Sequence, residues 1–162
     1  PERFAFPLEL SFLADRYQQL KDHFSRPDMF SPKTIADYFI FKSLIFAGQN
    51  LERAEFLLYR RMFEIVESAL PKPDLLLFLF LPIEQALENI RQRGRDYEMQ
   101  ISLEYLGRVQ AGYLEFIRQH RDWRILMVKT SDVDFVGNDS DYEWLTELAG
   151  RSYPPGITRI ER

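Results

Sequence analysis

The 162-residue sequence contains no cysteine and only two histidines, His23 and His120. The first absence removes a disulfide framework, a thiolate nucleophile and a zinc-thiolate site, and fits a reducing cytoplasm. The second leaves too few imidazoles for a histidine-based metal cluster. Long apolar runs are missing too. The longest, LLLFLFLP at 75–82, falls far short of the ~18 residues of a spanning helix, and no secretory signal is visible, so no membrane partner is expected. Nor is positive charge in excess. A formal net charge of -4 and a pI near 5.3 argue against a surface that gathers nucleic acid, so any anion site has to be local. What the chain does have is apolar and aromatic residues, 46% and 15% of the total. That suffices for one globular domain over residues 1–150, leaving RSYPPGITRIER at 151–162 as a tail.

From Phe6 the apolar residues Leu10, Leu13, Tyr17, Leu20 and Phe24 recur at three- and four-residue steps, which predicts a helix over 4–24 with Pro7 near its start. SRPDMFSPKT reads as loop, and TIADYF as a short strand ending near Asp37. FKSLIFAGQN and LERAEFLLYRRMFEIVESAL read as helical, with a break around Gly48 to Asn50. PKPDLLLFLFLP, apolar without alternation and bounded by prolines, has the pattern of a strand covered on both faces of a parallel sheet. Helices are expected over IEQALENIRQRG and SLEYLGRVQAGYLEFIRQH, a further strand over WRILMVKT, and a last helix over DSDYEWLTELAG with Asp or Ser as N-cap and Gly150 as its stop. Strands separated by long helices imply crossovers and a doubly wound parallel α/β sheet with surrounding helices. Ligands of such folds sit at the carboxyl ends of strands, which directs attention to Asp37, Pro82 and Thr130 to Asp134.

Several groups there have charge without an obvious structural use. RQRGRDYE at 91–98 places Arg91, Arg93 and Arg95 two apart, a spacing that cannot converge on one side of a straight helix. If the helix ends at Gly94, the chain curls and Arg93 and Arg95 can fork onto one phosphate; otherwise these cations simply favour the helix dipole and stay solvated. Asp37 either holds magnesium, which takes oxygen ligands, or caps the next helix. Glu9 and Arg16 share a stripe with Cα atoms ~10 Å apart, so a ligand lies between them or the stripe is a solvated edge. Phe135, in TSDVDFVGNDSD, is either a core residue or a stacking surface for a base.

Taken together, these stretches resemble the deoxynucleoside kinase family, closest to its bacterial deoxyguanosine and deoxyadenosine kinases, over about residues 1–145. PERFAFPLELSFLADRYQQL is similar to the family's substrate helix and DYFIFKSLIFA to its second sugar and base segment. LPKPDLLLFL is similar to the strand before the lid, and RQRGRDYEMQISLEYL to the lid itself. The resemblance implies a P-loop-kinase-like fold and transfer of the ATP γ-phosphoryl, with Mg2+, to the 5′-hydroxyl of a deoxynucleoside. It implies Arg93 and Arg95 as lid cations against the moving phosphoryl and ATP, Glu98 as a sugar ligand and Asp37 as a catalytic or metal-binding carboxylate. Leu8, Glu9, Arg16 and Phe46 would form the base pocket, and Asp134 and Phe135 would lie near the ATP adenine. A cytoplasmic homodimer with no nucleic-acid partner is expected.

Three departures qualify the resemblance. Relatives commonly have glutamine where this chain has Glu9; a carboxylate accepts from guanine N1–H and N2–H2 but faces the lone pair of adenine N1, which favours deoxyguanosine. Aligning on IFA places Asp37 at the position of the family's arginine and Ala36 at its acidic one. Finally, no G-x-x-x-x-G-K-[ST] loop occurs in these residues. With no initiating methionine, the sequence reads as the C-terminal part of a longer kinase domain. The resemblance places the P-loop, the catalytic carboxylate and the first strands in ~50 preceding residues, on the length scale of βαβ units, so the fragment alone is expected to be inactive. The alternatives are a non-catalytic nucleoside-binding or dimerisation module, or a nucleotide kinase such as one for thymidylate.

Overall fold

The apolar periodicity of the first seventy or so residues resolves into three helices in the computed structural model, which describes residues 4–25 and 33–162. The chain divides into two units, Pro1–Lys72 and Pro73–Arg162. In the first, α1 spans Ala5–Phe24, with Pro7 in the opening turn, where its missing N–H would have had no helical acceptor. Helix α2 spans Phe41–Asn50 and α3 Arg53–Ser68. The break falls at Leu51 and Glu52, just beyond the expected Gly48 to Asn50. Glu52 caps α3 in a reciprocal capping box with Glu55. All three helices pack on one another around Leu13, Ala47, Tyr59 and Phe63, with Phe41 edge-on to Phe63 at 4.9 Å between ring centres.

The strand expected over TIADYF is absent. Residues 33–39 are irregular, Asp37 lies at a bend, and Ile35 is 96% exposed. A strand needs a neighbour to pair its N–H and C=O groups, and among the described residues this unit contains only helices. Most of the SRPDMFSPKT loop, 26–32, lies outside the described residues.

The second unit is a three-stranded parallel sheet, ordered β1 (Leu76–Phe80), β2 (Arg124–Lys129), β3 (Gly156–Ile160). Leu76 pairs with Ile125 and Phe80 with Lys129; Arg124 pairs with Gly156 and Val128 with Ile160. Helices α4 (Ile83–Arg93) and α5 (Leu103–Gln119) make the first crossover, and α6 (Asp139–Gly150) the second. Because strand side chains alternate, Leu126 and Val128 face Leu145 and Leu148 of α6, whereas Phe78 on the opposite face meets Tyr113 of α5. The sheet is therefore covered on both sides, which accounts for the apolar runs of β1 and β2.

Two details correct the sequence-based expectations. Residues 156–160 are a strand rather than part of a tail: Gly156 N–H donates to Trp123 O at 2.7 Å and starts the ladder that completes the open edge of β2. Helix α6 is capped by Asn138, not by Asp or Ser, its side chain accepting from Ser140 N–H; Gly150 is the last helical residue and Arg151 the extended cap.

Candidate functional site

In the first unit the notable group is Glu9. Its position on the α1 stripe carries it inward rather than to solvent, and it is only 7% exposed. Its Oε1 accepts from Asn50 Nδ2, the last residue of α2, at 2.7 Å. Tyr59 of α3 is fully buried, and among the described residues its hydroxyl has no well-formed hydrogen bond. Burial first, and then the Glu9 charge, push its pKa well above the usual tyrosine range; Ser43 nearby offsets this without a well-formed bond. Ser43 is engaged instead with the Tyr38 hydroxyl. Tyr38 is likewise raised, chiefly by burial, while Arg16 opposes that shift with its guanidinium 4.6 Å from the ring centre. Arg16 also donates to Gln19 Oε1 at 2.9 Å. Leu8 and Arg16 are exposed and Phe46 is half-buried. The expected stripe thus separates: Glu9 is interior, and Arg16 lies at the surface over Tyr38.

In the second unit the α4 terminus behaves as its glycine suggests. Gly94 takes a left-handed conformation (φ 65) and its N–H bonds to Ile90 O and Arg91 O. The chain then makes a short 3-10 turn over Asp96–Glu98. That reversal brings Arg93 Nη2 to 2.8 Å and Arg95 Nη1 to 3.4 Å from the two carboxylate oxygens of Glu98. The shorter contact is one of charge rather than an aligned hydrogen bond, since no N–H among the described residues is directed at Glu98 Oε2. Arg95 also donates to the Tyr97 hydroxyl at 3.2 Å, and Tyr97, then Glu98, raise its pKa further. The two guanidiniums are half-exposed while Glu98 is 14% exposed. Arg91 takes no part in this cluster. Two cations that a straight helix would separate therefore converge on one oxyanion.

At the carboxyl ends of the strands, Thr130 is buried and bonds Phe80 O through both its N–H and its hydroxyl. Gln85 of α4 donates to Ser131 O at 3.0 Å, and Gln110 of α5 to Leu81 O at 2.8 Å. These two glutamines tie the crossover helices to the strand ends. Asp134 folds its own loop, its Oδ1 accepting from Val136 and Gly137 N–H, while its N–H donates to buried Asp141. Asp141 also pairs with Arg162, whose guanidinium lies 5.4 Å from the Trp144 ring centre. Phe135 is half-buried.

Asp37 is exposed. Among the described residues no group of three or more His, Asp or Glu gathers, so these residues do not build a cage for magnesium by themselves. No helix among the described residues is long and apolar enough to cross a membrane.

The doubly covered parallel sheet of the second unit places the fold in the α/β class, and comparison with known proteins narrows it. Residues 1–151 match the family described as deoxynucleoside kinase. The chain is 32% identical over 149 residues to the deoxyguanosine kinase of Bacillus subtilis (strain 168), covering 88% of this chain and 70% of that protein. It is 27% identical over 146 residues to the deoxyadenosine/deoxycytidine kinase of the same organism, covering 88% and 67%. Its fold is similar to the deoxyadenosine kinase from M. mycoides with bound dCTP, with a TM-score of 0.72 at 21% identity, over 91% of this chain and 74% of that one. The chain belongs to the deoxynucleoside kinase family, whose members are transferases.

Asn50, Tyr59 and the Asp141–Arg162 pair were not singled out from sequence. Asn50 and Glu9 are 41 positions apart, and neither periodicity nor a local motif links them.

Proposed function

We propose that the protein transfers the γ-phosphoryl of ATP to the 5′-hydroxyl of a purine deoxynucleoside, with deoxyguanosine preferred. The observation that carries this reading is the convergence of Arg93 and Arg95 on the Glu98 carboxylate. A carboxylate presents two oxygens with shared negative charge, as a phosphoryl group does, and guanidinium forks suit either. In transfer the same two cations would exchange Glu98 for the moving phosphoryl and offset the charge on its equatorial oxygens. Glu98, released, would accept from a sugar hydroxyl, so that lid closure couples nucleoside binding to phosphate binding.

Glu9 supports the purine reading: a buried carboxylate accepts from adjacent N–H donors but has none to give. Leu8, Phe46 and Arg16 would complete the base pocket, and Asp134 with Phe135 would border the adenine of ATP. Magnesium would arrive with ATP, held mainly by phosphate oxygens, with Asp37 as the candidate protein ligand. The apolar residues Leu57, Leu58, Met62 and Ile65 exposed on α3 support a homodimer. The absence of cysteine fits a cytoplasmic setting.

The test is an ATP-dependent assay of the natural polypeptide on the four deoxynucleosides and on thymidylate. Deoxyguanosine is expected to give the highest kcat/KM. Turnover only with a monophosphate acceptor, or binding without turnover, would replace the proposal with a nucleotide kinase or a non-catalytic module.

A further inference from the structure

We propose that Asn50 is a positioning residue for Glu9 and thereby sets discrimination between guanine and adenine. The inference rests on the reading above that Glu9 faces the base. Burying a carboxylate is costly unless donors meet it, and among the described residues the side chain that donates to Glu9 is Asn50. Other polar groups in the unit are engaged elsewhere or fail to reach it. Tyr59 has no well-formed hydrogen bond among the described residues, Tyr38 and Ser43 bond each other, and Arg16 donates to Gln19.

The direction of the Asn50 contact follows from chemistry, because a carboxylate only accepts and so must be faced by the Nδ2 end of the amide. Asn50 is itself exposed and closes α2 immediately before the α2–α3 break, so it is not there to fill the core. It tethers one oxygen of an α1 side chain to the end of another helix.

That tether determines what a base meets. A free glutamate side chain can turn its carboxylate plane to relieve a clash. Held at Oε1, Glu9 presents its remaining lone pairs in a fixed direction, and all of them are acceptors. Guanine offers adjacent N1–H and N2–H2 donors and satisfies them; adenine places the N1 lone pair against an oxygen that cannot move aside. Asn50 thus rejects adenine through Glu9 without touching the base, by the same logic that makes a pre-fixed polar group more selective than a mobile one.

The experiment measures equilibrium binding of deoxyguanosine and deoxyadenosine by calorimetry to the natural polypeptide as wild type and with Asn50→Ala, Asn50→Leu, Glu9→Gln and the Glu9→Gln/Asn50→Ala pair. The expected result for Asn50→Ala is a deoxyguanosine-to-deoxyadenosine affinity ratio lowered about tenfold, the scale of one charge-assisted hydrogen bond. In the Glu9→Gln background the same substitution should not lower the deoxyguanosine-to-deoxyadenosine ratio as it does in wild type, because an amide at position 9 offers a donor as well as an acceptor to the base. A purely structural role would weaken both nucleosides alike and keep the ratio. If Asn50→Ala melts early, Asn50→Leu, close in shape but with neither donor nor charge, is read in the same way. A ratio within twofold of wild type in both Asn50 variants, with Glu9→Gln shifting it, overturns the role of Asn50 alone. An unshifted ratio in Glu9→Gln overturns the reading of Glu9 and the proposal with it.

Discussion

Arg93 and Glu98 lie 2.8 Å apart across the left-handed Gly94 that ends α4, with Arg95 closing on the same carboxylate from the other side of the turn. If this pairing rehearses phosphoryl binding, either arginine is needed for transfer and not for folding. Both guanidiniums are half-exposed, so their ion pairs add little to stability. Arg93→Ala or Arg95→Ala in the natural polypeptide should lower kcat by ~10³ or more, with Tm almost unchanged. Arg93→Lys should recover little, since an ammonium lacks the planar fork. A kcat near wild type in both alanine variants would remove the lid assignment.

Gly94 itself makes a separate prediction. A Cβ there would meet only Arg91 O and Gln92 O, each at 4.0 Å, so the obstacle is conformational and not steric crowding. Gly94→Ala should cost ~1 kcal/mol in a denaturant melt and Gly94→Asn less, because asparagine tolerates the left-handed region. Both should reduce kcat more than Tm suggests, by disturbing the reversal that brings the two arginines together.

Tyr59 carries a buried hydroxyl with no well-formed hydrogen bond among the described residues, so Tyr59→Phe is expected to be neutral or stabilising. Its folded pKa lies above the ordinary value of 10.0. The stability associated with the protonated phenol is therefore fully present below pH 10 and is lost as pH rises from the unfolded value through the folded one. Over that window Tyr59 contributes a slope of ~1.4 kcal/mol per pH unit. Chemical denaturation between pH 9 and 12 should show a shallower decline for Tyr59→Phe than for wild type; parallel curves would contradict the assignment.

Asp141 is 6% exposed and serves two partners, Asp134 N–H and Arg162. Substituting Arg162 by alanine leaves a buried charge with one partner fewer, and Asp141→Ala leaves the loop amide without its acceptor. Each should destabilise by roughly 2–4 kcal/mol. Amide exchange of residues 134–137 should rise in both variants, whereas α4 and α5 should be unaffected.

Much of this protein was readable along the chain because its signals are local. Proline-bounded apolar runs marked β1 and β2, helical periodicity marked α1, α5 and α6, and Gly94 marked the end of α4. The resemblance of RQRGRDYEMQISLEYL and the segments before it to the deoxynucleoside kinases then pointed to the family that the comparisons show. The two strand misreadings have one cause. TIADYF has strand-like residues but lies in a unit whose described elements are all helices, whereas GITRI, short and following prolines, becomes β3 because β2 offers an open edge. Strand identity is settled by a partner's hydrogen bonds more than by composition.

The chemistry divides in the same way. Sequence alone determined which residue types were available: three closely spaced arginines, a glutamate on the first helix, and no P-loop within these residues. Tertiary structure decided that Arg93 and Arg95 meet on Glu98 while Arg91 does not, and that Glu9 turns inward to Asn50 while Arg16 stays at the surface. Glu9 and Asn50 come from different helices, 41 positions apart, and no local pattern records such a pairing. The energy of a buried charge depends on which donor the fold brings to it, and only the packed helices supply that donor.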